Sequence, residues 1–113
     1  MSVIVYTNKP KQLLASIKEA MSAGAIRTWS YDADGDFTHV PDQWSRKAWF
    51  RPRLLSDQIV FNIITPAQTV MSRMTYAVYH GRFVEMLLTH FDEDFERAVA
   101  SALPTKNDIT KSS

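Results

Sequence analysis

Between Thr65 and Leu103 the residues Val70, Met74, Ala77, Gly81, Val84, Leu88, Phe91, Phe95 and Ala98 recur at alternating spacings of four and three. That is the period of one face of an α-helix, and an apolar face of that length needs a core to lie on. Thr65-Pro66-Ala67-Gln68 offers a hydroxyl N-cap, a proline at the first helical position and a glutamine placed to close a capping box. Pro104 marks the other end. The spacing therefore predicts one long C-terminal helix.

The same segment carries a second stripe. With Val70 at zero and about 100° per residue, Tyr76, Tyr79, Phe83, Met86 and His90 fall on the opposite side. A helix apolar on two sides is normally enclosed, and a chain of 113 residues with one sheet has little with which to enclose both. Two coverings are open. Leu13, Ile17 and Met21 of an earlier helix can lie on the second stripe, or another chain can, because aromatics and methionine are over-represented in interface cores. The second covering makes Tyr76, Tyr79, Phe83, Met86 and His90 the expected partner-binding face, toward a protein partner or a second copy in a homodimer.

The remainder of the chain alternates strand and turn signals. Ser2–Tyr6 reads as a short buried strand, and Thr7-Asn8-Lys9-Pro10 turns the chain into a helix with the stripe Leu13, Leu14, Ile17, Ala20 and Met21, stopped at Gly24. From Ala25 the period becomes two, then Asp32-Ala33-Asp34-Gly35-Asp36 turns the chain and Phe37-Thr38-His39-Val40 returns as a hairpin. Pro41–Trp44 is a turn leading to a strand from Lys47 to Leu54, where Pro52 demands an edge or a bulge. Gln58–Ile64 is the clearest strand. The expected fold class is α+β: a two-layer, mostly antiparallel sheet in the order β-α-β-β-β-β-α, packed against the long C-terminal helix and the shorter N-terminal one. One domain over 1–104 is expected, followed by a flexible polar tail, 105–113.

Composition narrows the function classes. Thirteen basic residues against twelve acidic ones give no whole-molecule field to select a partner, and the absence of cysteine excludes disulfides and thiolate metal sites. Met1–Tyr6 is too short an apolar run for a signal peptide or membrane span, so no membrane partner and a cytoplasmic location are expected.

Arginine and tryptophan mix between residues 27 and 53. Arg27, Trp29, Trp49, Arg51 and Arg53 form a possible nucleic-acid-binding set, because arginines that follow phosphates beside rings that stack on bases are what a single strand requires. Four aspartates, Asp32, Asp34, Asp36 and Asp42, nearly cancel the local positive charge, which is poor for counterion release. The plainer reading is a half-buried sheet whose arginines snorkel.

The aspartate loop fails as a calcium site: position six is Phe37 where glycine is needed, and position twelve is Gln43 where a bidentate glutamate is needed. His80 and His90 sit ten apart rather than four, so no metal and no cofactor are expected. A metal-independent ribonuclease can be imagined from His39 or His80 with Arg82 and Tyr79, although no spacing requires it. The reading favoured by these features is a small non-enzymatic interaction protein of bacterial type, regulatory or immunity-like, with single-strand nucleic-acid binding and ribonuclease-like catalysis as the alternatives.

Overall fold

A computed structural model describes residues 2–67, 69–104 and 108. The α+β class holds, with eight elements: β1 (Val3–Tyr6), α1 (Pro10–Ser22), β2 (Trp29–Tyr31), β3 (Phe37–His39), β4 (Trp49–Leu54), β5 (Gln58–Ile64), α2 (Arg73–Phe91) and β6 (Arg97–Ala100). The strands form one antiparallel sheet in the order β2-β3-β4-β5-β1-β6. Setting the β2–β3 hairpin aside leaves β-α-β-β-α-β connectivity, the split arrangement in which β1 lies between β5 and β6.

Register sorts the strand residues onto two faces. Val3 lies opposite Phe61, Phe50 opposite both Phe37 and Ile63, and Trp29 opposite His39. The apolar side chains among these share one buried cluster with Leu13 and Ile17 of α1 and with Tyr79, Phe83 and Leu87 of α2, so both helices cover the same face. The reverse face carries Ile4, Tyr6, Trp49, Arg51, Arg53, Val60, Arg97 and Val99, as the alternation within each strand requires.

Local signals placed α1 and its neighbours well. The helix ends in a Schellman arrangement: Ala25 N donates to Ala20 O at 2.9 Å, Gly24 N donates to Met21 O at 3.2 Å, and Gly24 takes the φ of +83° that glycine adopts without strain. Asp32 Oδ1 accepts from the amides of Asp34 and Asp36, each at 3.0 Å, and closes the hairpin turn with Gly35 at φ +82°. Pro52 sits in the half of β4 that β3 leaves unpaired, since β3 meets β4 only through Phe37 and Phe50.

The long helix is the main departure. It starts at the N-cap Ser72, whose Oγ accepts from Thr75 N at 3.0 Å, rather than at Thr65, which is buried just past the end of β5. The other half of the expected capping box, Gln68, lies outside the described residues.

After Phe91 the acidic turn 92–94, closed by Asp94 N donating to Phe91 O at 2.8 Å, reverses the chain, and Phe95–Ala98 feeds a sixth strand instead of more helix. β1 would otherwise present an unpaired edge; β6 satisfies it from Val3 opposite Ala100 to Tyr6 opposite Arg97. Of the expected tail, only Asp108 is described: its Oδ1 accepts from Asn62 Nδ2 at 2.9 Å and from Ile63 N at 3.0 Å.

Candidate functional site

The expected partner face of α2 is its core face. Tyr79 and Phe83 are fully buried and Met86 nearly so. Phe83 lies against Phe50 and Phe61 with ring centroids at 4.7 Å each, and against Trp29 at 5.0 Å. The Tyr79 hydroxyl donates to the Trp44 carbonyl. Tyr76 is half-buried, stacks on His80 at 3.8 Å and donates from its hydroxyl to Ser101 O at 2.9 Å. Among the five residues of that set, His90 alone is exposed. Both stripes are apolar, but Tyr and Phe each remove on the order of 150 Å² or more from water while Ala77 and Gly81 remove little, so the aromatic stripe takes the sheet.

Most of the α2 part of the stripe expected to be core is consequently outside, although Phe91 is buried in the core and Val84, Phe95 and Ala98 pack against it. Met74 is 65% exposed, Leu88 55% and Val70 53%, with Ala77 and Gly81 exposed between them and Val84 half-buried. Two large apolar side chains thus stand seven residues either side of Gly81, joined by a low, small-residue saddle.

The arginine and tryptophan set divides. Trp29 is in the core, and Arg27 Nε donates to Gly24 O at 3.3 Å beside the end of α1, away from the strand arginines. Trp49, Arg51 and Arg53 do share the sheet face turned away from the two helices. Arg51 is held there by a bidentate pair with the buried carboxylate of Asp36, Nε to Oδ1 at 3.1 Å and a terminal nitrogen to Oδ2 at 2.9 Å. That hydrogen bond, with the Asp36 charge, raises the Arg51 pKa further. The spacing of residues 27–53 gave no sign of Tyr6 and Arg97, which join this face from β1 and β6 with the guanidinium 4.1 Å from the ring centre. The carboxylate oxygens of Asp32, Asp34 and Asp36 lie within 4.8 Å of one another, but the turn amides and Arg51 already engage Asp32 and Asp36.

A cleft of about 370 Å³ separates α2 from the 28–44 segment. It brings together His39, Trp44, Arg82, Glu85 and His90, which are up to 51 positions apart in the chain. His39 Nδ1 is 2.8 Å from Thr28 O; a carbonyl only accepts, so Nδ1 carries the proton and Nε2 is left as an acceptor. Burial lowers the His39 pKa, opposed by the bond to Thr28 and assisted by the charge of Arg82. At the rim Arg82 and Glu85 pair at 3.3 Å, both well exposed.

His80 is not part of this cleft. It is enclosed by Tyr76 and Phe50, its Nδ1 is 2.7 Å from Tyr76 O, and Nε2 is buried without a partner among the described residues. Burial lowers its pKa too, against the Tyr76 bond and the Asp108 charge. Of the imagined catalytic group, then, the fold unites His39 with Arg82, sets the buried Tyr79 ring edge-on to His39 at 6.0 Å with its hydroxyl committed to the Trp44 carbonyl, and leaves His80 outside the cleft. No helix among the described residues is long and apolar enough to cross a membrane. Compared with protein-family models, curated proteins and solved structures, the chain matches none of them.

Proposed function

We propose that this chain is a cytoplasmic, non-enzymatic interaction protein that associates through the outer stripe of α2, and that the surface it meets is a second copy of the same stripe. The observation that carries this is the exposure of Met74 and Leu88 on one helix face with Ala77 and Gly81 between them. Under a two-fold axis at Gly81 the stripe is its own complement: Met74 meets Leu88 of the other copy, and Val78 meets Val84. Small residues at the crossing let two backbones approach, and the antiparallel arrangement sets opposite helix-dipole ends side by side. One helix pair is a small interface, so association in the micromolar range is expected.

Light scattering across a concentration series tests it. A shift from one to two chains, abolished by Met74→Glu with Leu88→Glu while the circular dichroism spectrum stays unchanged, supports the docking face. A wild-type chain that stays monomeric at about 1 mM, the weak limit of specific association, overturns the self-dimer. If that monomer then captures a different protein through the same two residues, the partner is heterologous.

The sheet face away from the helices favours a second reading, single-strand binding, because half-buried Trp49 and Tyr6 lie there with Arg51, Arg53 and Arg97. It predicts salt-sensitive quenching by an oligonucleotide that is lost in Trp49→Phe and weakened in Arg53→Ala. No quenching at low ionic strength removes it.

A further inference from the structure

The docking face leaves the polar cleft beside it unused. His39 forms part of its wall, and the residue is only 5% exposed. Its Nδ1 is engaged by Thr28, while Nε2 has no hydrogen-bond partner among the described residues. Unlike the buried Nε2 of His80, this acceptor is open to the cleft, where a ligand N–H can take the place of solvent. The surroundings are aromatic: Trp29 lines the cleft with its ring centre 4.6 Å from that of His39, and half-buried Trp44 lines it too. At the mouth the Arg82–Glu85 pair offers donors and acceptors together and brings no net charge. A volume of about 370 Å³ is in the range of small-molecule sites.

These features select a flat ring with an N–H edge, attached to a polar group that both donates and accepts. We infer that the cleft binds one nucleoside unit, with a base N–H donated to His39 Nε2, the ring against Trp44, and a ribose hydroxyl donated to the Glu85 carboxylate. A polyanion is not what this site selects, because Glu85 offsets Arg82. A flat hydrocarbon is not either, because it leaves Nε2 unpaired. The same chemistry is offered by a free nucleotide and by the unpaired end of a strand.

The test titrates uridine, uridine 5′-monophosphate, guanosine 5′-monophosphate and a short oligouridylate into Trp49→Phe protein, so that the fluorescence reports Trp29 and Trp44 at the cleft. Saturable quenching with a dissociation constant below about 1 mM is expected. His39→Asn retains a donor for Thr28 O and removes the Nε2 acceptor; it should lower affinity at least about tenfold. Tighter binding of the oligonucleotide than of the free nucleotide identifies a strand end as the source, and the reverse identifies the free nucleotide.

No saturable quenching by any of the four overturns the inference, as does equal affinity of wild type and a folded His39→Asn. Should His39→Asn fail to fold, the wild-type His39 Nε2 nitrogen resonance decides: a shift at saturation supports the bond, and an unmoved resonance refutes it. Neither outcome depends on dimerisation, which Met74→Glu with Leu88→Glu removes separately.

Discussion

The two apolar stripes of α2 have the same period and opposite destinations. Tyr79, Phe83 and Leu87 are enclosed between the helix and the sheet, whereas Met74, Ala77, Gly81 and Leu88 face away from it. Hydrophobic character does not separate them, since both are apolar over four turns. Area and shape do. A flat sheet face already bearing Trp29, Phe37, Phe50 and Phe61 leaves gaps that rings fill, and Phe83 contacts all four of these residues edge-on or tilted. A stripe whose centre is Ala77 and Gly81 would leave that space empty.

The contrast is broken most directly by truncating one residue on each side. Phe83→Ala removes a fully buried ring from the middle of the aromatic cluster and should lower unfolding free energy by about 3–5 kcal/mol. Leu88→Ala, more than half exposed, should change it by no more than about 0.5 kcal/mol at protein concentrations too low for association. Urea titration of both variants compares them in one experiment. Similar losses in the two would mean that the outer stripe is covered after all, and the docking face would lose its basis.

Much of the fold was legible because its signals are local. The α1 stripe, the glycine that stops it, the aspartate turn and the Gln58–Ile64 strand each follow from residues within a few positions of one another. β6 was not legible. Phe95 and Ala98 are three apart, a spacing that a helix and the lead-in to a short strand share, and the deciding fact is the unpaired edge of β1 more than ninety residues earlier. The inversion of the α2 faces was open to a better argument from sequence: periodicity reports that two stripes exist, while summed side-chain area ranks them. The cleft had no sequence signal at all, because His39 and Trp44 reach Arg82 and Glu85 only through long-range packing.

The polar anchor of the inner stripe is a smaller test. Tyr79→Phe keeps the ring in place and leaves the Trp44 carbonyl, at the turn that walls the cleft, with the Lys47 amide at 3.2 Å as its remaining donor. A loss of about 1–2 kcal/mol is expected, measured by the same titration. Because the turn carries Trp44 into the cleft, nucleotide quenching should weaken in the same variant. An unchanged stability would mean that the Lys47 amide alone satisfies the carbonyl.

Histidines mark the inner side of the helix as well, and they give the comparison a pH axis. Burial lowers the pKa of both His39 and His80 in the folded chain below the ordinary value of 6.5. The unfolded chain therefore takes up protons first as pH falls, so the stability these neutral rings contribute is complete above about pH 6.5 and is lost as pH drops through and below it. Denaturation midpoints at a series of pH values should fall from neutral toward pH 5, and His80→Phe should flatten the slope. A slope unaffected by His80→Phe would place the proton uptake elsewhere.

The finest probe is Gly81, where the two roles proposed for the outer stripe pull in opposite directions. A β-carbon added there meets nothing within 4 Å, and the residue is in the interior of a helix where glycine is less favourable than alanine. Gly81→Ala should therefore stabilise the monomer by about 0.5–1 kcal/mol. If two copies of α2 cross at this residue, the same methyl group separates their backbones and weakens the pair, so the monomer gains stability while the dimer loses affinity. Thermal denaturation at low concentration and light scattering at high concentration read the two effects apart. A variant more stable in both measurements would move the crossing point away from Gly81, and with it the two-fold pairing of Met74 with Leu88.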